Sequence, residues 1–145
     1  MIKAKDYLRQ ILELPKRIEK KENELYLLEC LATGTTASAD IAAVQTSETS
    51  DKVGNCAAKI VDLKKEIKLQ KAAAFEQIQE CIRVIEQVRD LPNRTAETQY
   101  DILHMRYVSG KKLKRIAFEL KYDYDYIREL HGIALLNVEK IIEKT

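Results

Sequence analysis

The chain has 145 residues, of which 46% are apolar and 33% are charged. Its 25 basic and 23 acidic residues leave a formal net charge of only +2, so any affinity for nucleic acid must come from local placement of charge. With four Gly, two Pro and no β-branched or aromatic runs bounded by turns, the composition argues against a sheet and predicts long, solvated helices. We therefore expect an all-α protein.

Helical periodicity begins near the N-terminus. Residues 2–31 predict one helix, with charged residues on the faces that the apolar stripe leaves free. Pro15 interrupts the pattern because it lacks a backbone donor and clashes with the preceding turn, so we expect either two helices that meet near Leu14 or one bent helix. The stripe consists of Ala4, Leu8, Ile11, Pro15, Ile18, Leu25 and Leu28.

A segment rich in Ala, Thr and Ser, residues 32–50, predicts a loop, and residues 51–90 predict a second, longer helix. A helix of that length spans about 60 Å and needs a partner along its length, so we expect an antiparallel hairpin over residues 1–91 that resembles a coiled coil. The second stripe consists of Val53, Cys56, Ile60, Leu63, Ile67, Phe75, Ile78, Ile82, Ile85 and Val88. Such a stripe predicts core, although part of it could remain open for a second copy, giving a homodimer, or for another protein.

The three cysteines argue against zinc binding. Cys30, Cys56 and Cys81 form no CxxC pair, and His104 and His131 stand alone, so we expect free thiols, buried or half-buried, in a reducing compartment. We expect both histidines at the surface or at its boundary. No secretory leader and no apolar run of about 20 residues is visible, which predicts a soluble cytoplasmic protein without a membrane helix.

Residues 92–145 predict a three-helix module. Pro92 ends the long helix, Asn93 or Thr95 caps a helix that reaches about Tyr107, and residues 108–110 form a turn. Apolar residues then mark the inner faces of a short helix, over residues 113–120, and of a longer one that follows three residues later. The inner faces consist of Leu113, Ile116, Ala117 and Leu120, and of Ile127, Leu130, Ala134, Leu135, Val138 and Ile141. Two helices joined in this way predict a DNA-binding helix-turn-helix.

Three segments carry a resemblance to a known family. ILHMRYVSG, LKRIAFELKYD and YIRELHGIALLNV, which begin at Ile102, Leu113 and Tyr126, resemble region four of the bacterial sigma factors, which reads the −35 promoter element. The whole chain is similar to small phage and prophage proteins of Gram-positive hosts. These share a KxYL-like start (here Lys5, Tyr7 and Leu8), a Thr/Ser-rich loop and a sigma-like end. The resemblance implies a transcriptional regulator in the cytoplasm of a bacterial host.

One departure from that pattern concerns the turn. Glycine is usual there, whereas this chain has Lys121, which would be modestly strained if the position needs a positive φ. Asp123 is expected to cap the longer helix, with Tyr122 packed into the turn and Tyr126 directed toward the preceding helix.

Candidate DNA contacts lie on the two helices of the predicted motif. Arg128 can pair with guanine O6 and N7 or hold a phosphate, and its simpler alternative is an ion pair with Asp125 or plain solvent exposure. Gly132 would permit a close approach to a backbone. Asp125 and Glu129 could accept from cytosine N4 or face a protein instead. The full set of candidates is Lys111, Lys112, Lys114, Arg115, Tyr124, Asp125, Arg128, Glu129 and Gly132.

The basic group at the start of the shorter helix, from Lys111 to Arg115, lies where such a motif crosses the phosphate backbone, although a solvated helix face explains it as well. No Gly-rich phosphate loop and no nucleophile motif is present, so we expect a non-enzyme with no catalytic residues, no metal and no cofactor. Two hypotheses follow. In the first, the chain binds promoter DNA, with host RNA polymerase as a possible neighbour on the promoter. In the second, it is a protein-interaction module that binds host RNA polymerase or phage packaging and assembly proteins.

Overall fold

The computed structural model describes residues 3–34 and 49–144, and every regular element in those ranges is helical. The α-helices are α1 (Ala4–Thr33), α2 (Thr49–Arg89), α3 (Ala96–Leu103), α4 (Leu113–Leu120) and α5 (Tyr124–Lys144). The expected all-α class is therefore confirmed for the described chain. Most of the predicted loop, residues 35–48, lies outside the described residues. None of the described helices has the length and apolar character needed to cross a membrane.

The first helix is continuous through Pro15, which lies inside α1 with its side chain exposed. The alternative of two helices meeting near Leu14 was therefore wrong. Proline removes only one backbone donor from a helix, and the 30-residue helix continues on both sides of that gap. The stripe residues of α1 that are buried lie before the proline and are Ala4, Leu8 and Ile11.

The second helix corrects one predicted core residue. Leu63, Ile67, Ile85 and Val88 of the stripe are buried, but the side chain of Phe75 is 62% exposed. The buried residue at this point is Ala74, seven positions after Ile67. A seven-residue step returns to nearly the same helix face, whereas one further residue turns about 100° away from it. Periodicity therefore decides burial here, and the size of the aromatic side chain does not.

The described chain divides into two compact units, of which one is Pro15–Ala74. Within it, ion pairs join the two helical segments: Lys71 Nζ lies 3.0 Å from Glu22 Oε1, and Lys64 Nζ lies 3.4 Å from Glu29 Oε1. Glu29 lies seven residues after Glu22 on α1, whereas Lys64 lies seven residues before Lys71 on α2. The two segments therefore pair in antiparallel register. These pairs are solvent-exposed, so they fix register more than they add stability.

The other unit joins the start of α1, as far as Leu14, to everything from Phe75 onward. Its main core takes residues from α1, α2, α5 and the segment after Thr95. The fully buried side chains there include Leu8, Ile85, Val88, Leu103 and Val138.

The cysteines are free thiols, as expected: Cys81 is buried, and Cys30 and Cys56 are half-buried. The thiol of Cys81 donates to the carbonyl oxygen of Tyr7 at 3.5 Å. Burial raises the pKa of this thiol, which keeps Cys81 protonated and unreactive.

A π-helical turn, His104–Val108, follows α3 where the sequence predicted a continuing α-helix. Its wider turn leads into Ser109 and Gly110, and Gly110 has a φ of +73°. A Cβ at Gly110 would lie 3.5 Å from Leu12 Cδ1, so the chain passes close to α1 here. This turn sets the direction in which the chain enters α4.

Candidate functional site

The candidate residues lie on α4, on the two residues that precede it, and on α5. The three-residue connection between these helices depends on Lys121. Its φ of 63° and ψ of 41° place it in the left-handed region. The N–H of Lys121 donates to Phe118 O, and the N–H of Tyr122 donates to Ala117 O at 3.0 Å. This is the hydrogen-bond pattern of a Schellman cap, in which the left-handed residue is usually glycine. The strain expected for a lysine at this position is therefore present.

A small apolar cluster holds α4 and α5 together. Ile116 and Ala117 of α4 pack with Ile127 and Leu130 of α5 and with Ile102 of α3. All five are buried, and the residues from α4 and α5 belong to the predicted inner faces. The outward directions of the candidate residues follow from this arrangement.

Three of the predicted contact residues come together on one surface. Lys114 Nζ lies 5.8 Å from the ring centroid of Tyr124, and Arg128 Cζ lies 5.6 Å from the same centroid. Both distances are within the range of a cation–π interaction. We call Lys114, Tyr124 and Arg128 the Tyr124 cluster. It joins the start of α4 to the start of α5, and all three residues are exposed.

Arg128 therefore has a different neighbour from the one considered in the sequence. The alternative was an ion pair with Asp125, but the guanidinium lies over the Tyr124 ring, and no ion pair between Arg128 and any described residue is found. A guanidinium that interacts with an aromatic ring at this distance keeps its N–H donors available for other acceptors. Those donors can bind a phosphate or a base edge.

Two other basic candidates are already paired within the chain. Lys111 Nζ lies 2.8 Å from Glu119 Oε2, and Arg115 Nε donates to Glu119 Oε1 at 3.2 Å. These hydrogen bonds hold the pKa of Glu119 below its ordinary value. Glu119 was missed in the sequence, although its position four residues after Arg115 was a usable signal. Of the four basic candidates here, only Lys112 and Lys114 are exposed and free of an ion pair with any described residue.

The remaining candidates lie on the outer side of α5. Asp125, Glu129 and Gly132 are exposed, and a Cβ built on Gly132 meets no atom within 4 Å. Nearby, the rings of Tyr122 and Tyr126 lie 5.3 Å apart and both stay exposed, so Tyr122 does not pack into the turn. Asp123 directly precedes α5, and its carbonyl accepts from the N–H of Ile127.

His131 corrects a sequence prediction because it is buried, with 9% of its surface exposed, and does not lie at the surface. Its Nε2 is 2.8 Å from the hydroxyl of Tyr107, and the two rings stack with centroids 5.7 Å apart. Burial, helped by the positive charges of Arg106 and Lys5, lowers the pKa of His131 to about 4. His131 follows Ile127 by one helical turn, which was the signal for its inward position.

The surrounding polar groups are also satisfied internally. Buried Gln99 donates to Thr95 Oγ1 at 2.9 Å, and its Oε1 accepts from Asn137 at 2.7 Å. Within residues 3–34 and 49–144, no group of three His, Cys, Asp or Glu side chains is arranged to hold a metal ion. What the site offers chemically is hydrogen-bond donors, positive charge and aromatic surface.

Comparison with protein-family models, with curated proteins and with solved structures found no match. Any function assigned to this chain therefore depends on its own residues and their geometry.

Proposed function

We propose that this chain binds double-stranded DNA through a helix-turn-helix made of α4 and α5, carried by an antiparallel helical hairpin. On the resemblance to sigma region four, we further propose that it is a transcriptional regulator of the phage type, acting in the cytoplasm of a bacterial host. The observation that carries the proposal is the Tyr124 cluster, in which cations from both helices converge on one exposed aromatic ring. Such a surface combines phosphate-binding charge with a donor that can reach a base edge.

The roles within the interface follow from position. Lys112 and Lys114 lie at the start of α4, where the first helix of such a motif crosses the phosphate backbone. They would position the module without reading sequence. Arg128 lies in the second turn of α5, the helix that would enter the major groove, and its fork of donors fits guanine O6 and N7. Tyr124 would hold Arg128 in a restricted set of rotamers before DNA arrives, which lowers the entropy lost on binding.

The hairpin is proposed to supply a further surface for a partner or for a second copy. Its unit, Pro15–Ala74, carries large apolar side chains that remain mostly exposed, among them Tyr26, Leu27 and Leu69. Large exposed apolar side chains in one unit are a reason to propose an interaction site there.

Fluorescence anisotropy with labelled duplexes over a series of salt concentrations tests the DNA proposal. Arg128→Ala should weaken binding to the preferred duplex about 5- to 150-fold, because a bidentate base contact is worth about 1–3 kcal/mol. Lys114→Gln should weaken binding to all duplexes alike and reduce the salt slope by about one. Arg17→Ala, which removes an exposed arginine from α1, is the matched control and should leave both quantities unchanged. Equal binding by all four proteins would refute the proposal.

A second candidate function is protein binding without DNA, with host RNA polymerase or phage packaging and assembly proteins as the partner. It is favoured by Phe118, whose side chain is 81% exposed on α4. A phenylalanine side chain can form neither an ion pair nor a hydrogen bond with phosphate, whereas an exposed aromatic residue is a typical anchor in a protein interface. Binding of purified polymerase that is lost in Phe118→Ser and kept in Arg128→Ala would support this second function.

A further inference from the structure

The outer face of α5 carries an ordered sequence of side chains that the DNA proposal does not explain. We call it the outer stripe, and it consists of Asp125, Glu129, Ile133, Leu136, Lys140 and Lys144. At 100° per residue these positions occupy a face about 100° wide, whose centre lies about 140° around the helix from the centre of the buried residues of α5. The stripe is acidic in its first part, apolar in its middle and basic in its last part.

The apolar middle of the stripe is partly exposed to solvent, Leu136 more than Ile133. Ile133 is 37% exposed and Leu136 is 58% exposed. The charges beside them are also uncompensated, since Glu129 and Lys140 form no ion pair with any described residue. Acids near the start of a helix and bases near its end suit the helix dipole, which explains the charges alone. It does not explain two apolar side chains exposed between them.

The spacing of the stripe makes it complementary to itself. A two-fold axis midway between Ile133 and Leu136 brings Ile133 of each copy against Leu136 of the other when the helices run antiparallel. The same point is also midway between Glu129 and Lys140. One axis therefore joins the apolar residues and, at the same time, opposite charges on both sides of them, as an isologous interface requires.

We infer that the outer face of α5 binds a second copy of this chain in antiparallel orientation, with Ile133 against Leu136 of the second copy and Glu129 against its Lys140. Asp125 and Lys144 share the same midpoint and add an outer pair of opposite charges. Gly132, which has open space where a Cβ would be, lets the two helices approach closely. The apolar contact is short, so we expect a weak dimer with a dissociation constant on the order of 10–1000 µM.

This inference goes beyond the proposed function and stands without it. Glu129 and Gly132 are also candidates for DNA contact, so one copy cannot use these two residues for the dimer and for DNA at the same time. Dimerisation through the outer stripe and insertion of α5 into a DNA groove would exclude each other. The exposed apolar residues of the hairpin offer a different dimer surface, which the test must separate from this one.

Sedimentation equilibrium of the full chain without DNA, at low salt and up to about 1 mM, tests the inference with charge-reversal variants. Glu129→Lys and Lys140→Glu should each weaken the dimer about tenfold or more, because each turns two attractive pairs into repulsive ones. An equimolar mixture of the two variants should associate more tightly than either alone, since the mixed dimer restores opposite charges at both pairs. Leu136→Glu should leave only monomer.

Two control variants test whether the dimer forms through the outer stripe and not through the hairpin. Lys68→Glu makes the same charge change as Lys140→Glu but on an exposed position of α2, and it should not alter the dimer. Leu69→Glu, in the hairpin, should not alter it either. A wild-type chain that stays monomeric to about 1 mM, a dimer lost in Leu69→Glu but kept in Leu136→Glu, or a mixture no tighter than its components would each overturn the inference. None of these results depends on DNA binding, and Arg128→Ala should sediment as the wild type does.

Discussion

Acidification should destabilise the protein through His131. The imidazole is buried against Tyr107, and its pKa is about 4, below the ordinary value of 6.5. In the unfolded chain the ring takes up its proton near pH 6.5, whereas in the folded chain it stays neutral until about pH 4. Above pH 6.5 the ring is neutral in both states and there is no penalty. The unfolded state is then favoured progressively as the pH falls through this window, and the loss is complete below about pH 4.

The size of the effect follows from the pKa of His131. A fall from 6.5 to about 4 corresponds to at most about 3–4 kcal/mol in the free energy of unfolding. Because the ring keeps some exposure to solvent, which screens its charge, we expect about 2 kcal/mol between pH 7 and about pH 4.5. Carboxylates contribute to acid stability as well. Asp101, whose pKa is raised by burial, acts in the opposite direction, because the folded state then binds its proton first.

The variant His131→Gln isolates the histidine, because glutamine is uncharged at every pH. Urea unfolding followed by circular dichroism at about pH 7 and about pH 4.5 gives the free energy of unfolding of both proteins. At pH 7 the variant should be less stable, since the Tyr107 hydrogen bond is altered. On acidification it should lose about 2 kcal/mol less than the wild type. An equal loss in the two proteins would refute the assignment of a neutral, buried His131.

Three further predictions concern single contacts. Lys121→Gly relieves the left-handed strain in the connection between α4 and α5, and should raise the free energy of unfolding by about 0.5–1 kcal/mol in urea titrations; a loss would show that φ there is not positive. Asn137→Ala leaves the buried Oε1 of Gln99 without its donor and should lower the free energy of unfolding by about 1–3 kcal/mol, so an unchanged melting curve would argue against that contact. Glu119→Gln weakens the ion pairs that Glu119 forms with Lys111 and Arg115. It should therefore tighten non-specific DNA binding about tenfold and steepen the salt slope by about one, and weaker binding would contradict this reasoning.

Periodicity predicted much of the fold. The spacing of Ile116, Ala117 and Ile127 placed these residues on the inner faces of two helices, where they are buried. The prediction was wrong at Phe75, which is exposed, because the seven-residue step from Ile67 leads to Ala74, which is buried. The π-helical turn at residues 104–108 has no local sequence signal, because its hydrogen-bond pattern depends on how the following segment packs.

The candidate site was predictable in its members but not in its pairings. Lys114, Tyr124 and Arg128 could each be named from the sequence, yet their convergence depends on the angle between two helices. The hydrogen bond between Arg115 and Glu119 joins residues four apart on one helix, so it could have been predicted from the sequence. The inward direction of His131 was signalled by its position one turn after Ile127, but its partner Tyr107 is 24 residues away in the chain and could not be named in advance.

The most direct test of DNA binding through the Tyr124 cluster is a nuclear magnetic resonance titration of the ¹⁵N-labelled full chain with duplex DNA at low salt. The account predicts that the largest amide shifts fall at Lys112–Lys114 and at Tyr124–Arg128, with little change in α1 beyond Pro15. Absence of shifts, or shifts confined to the helices of the Pro15–Ala74 unit, would contradict it.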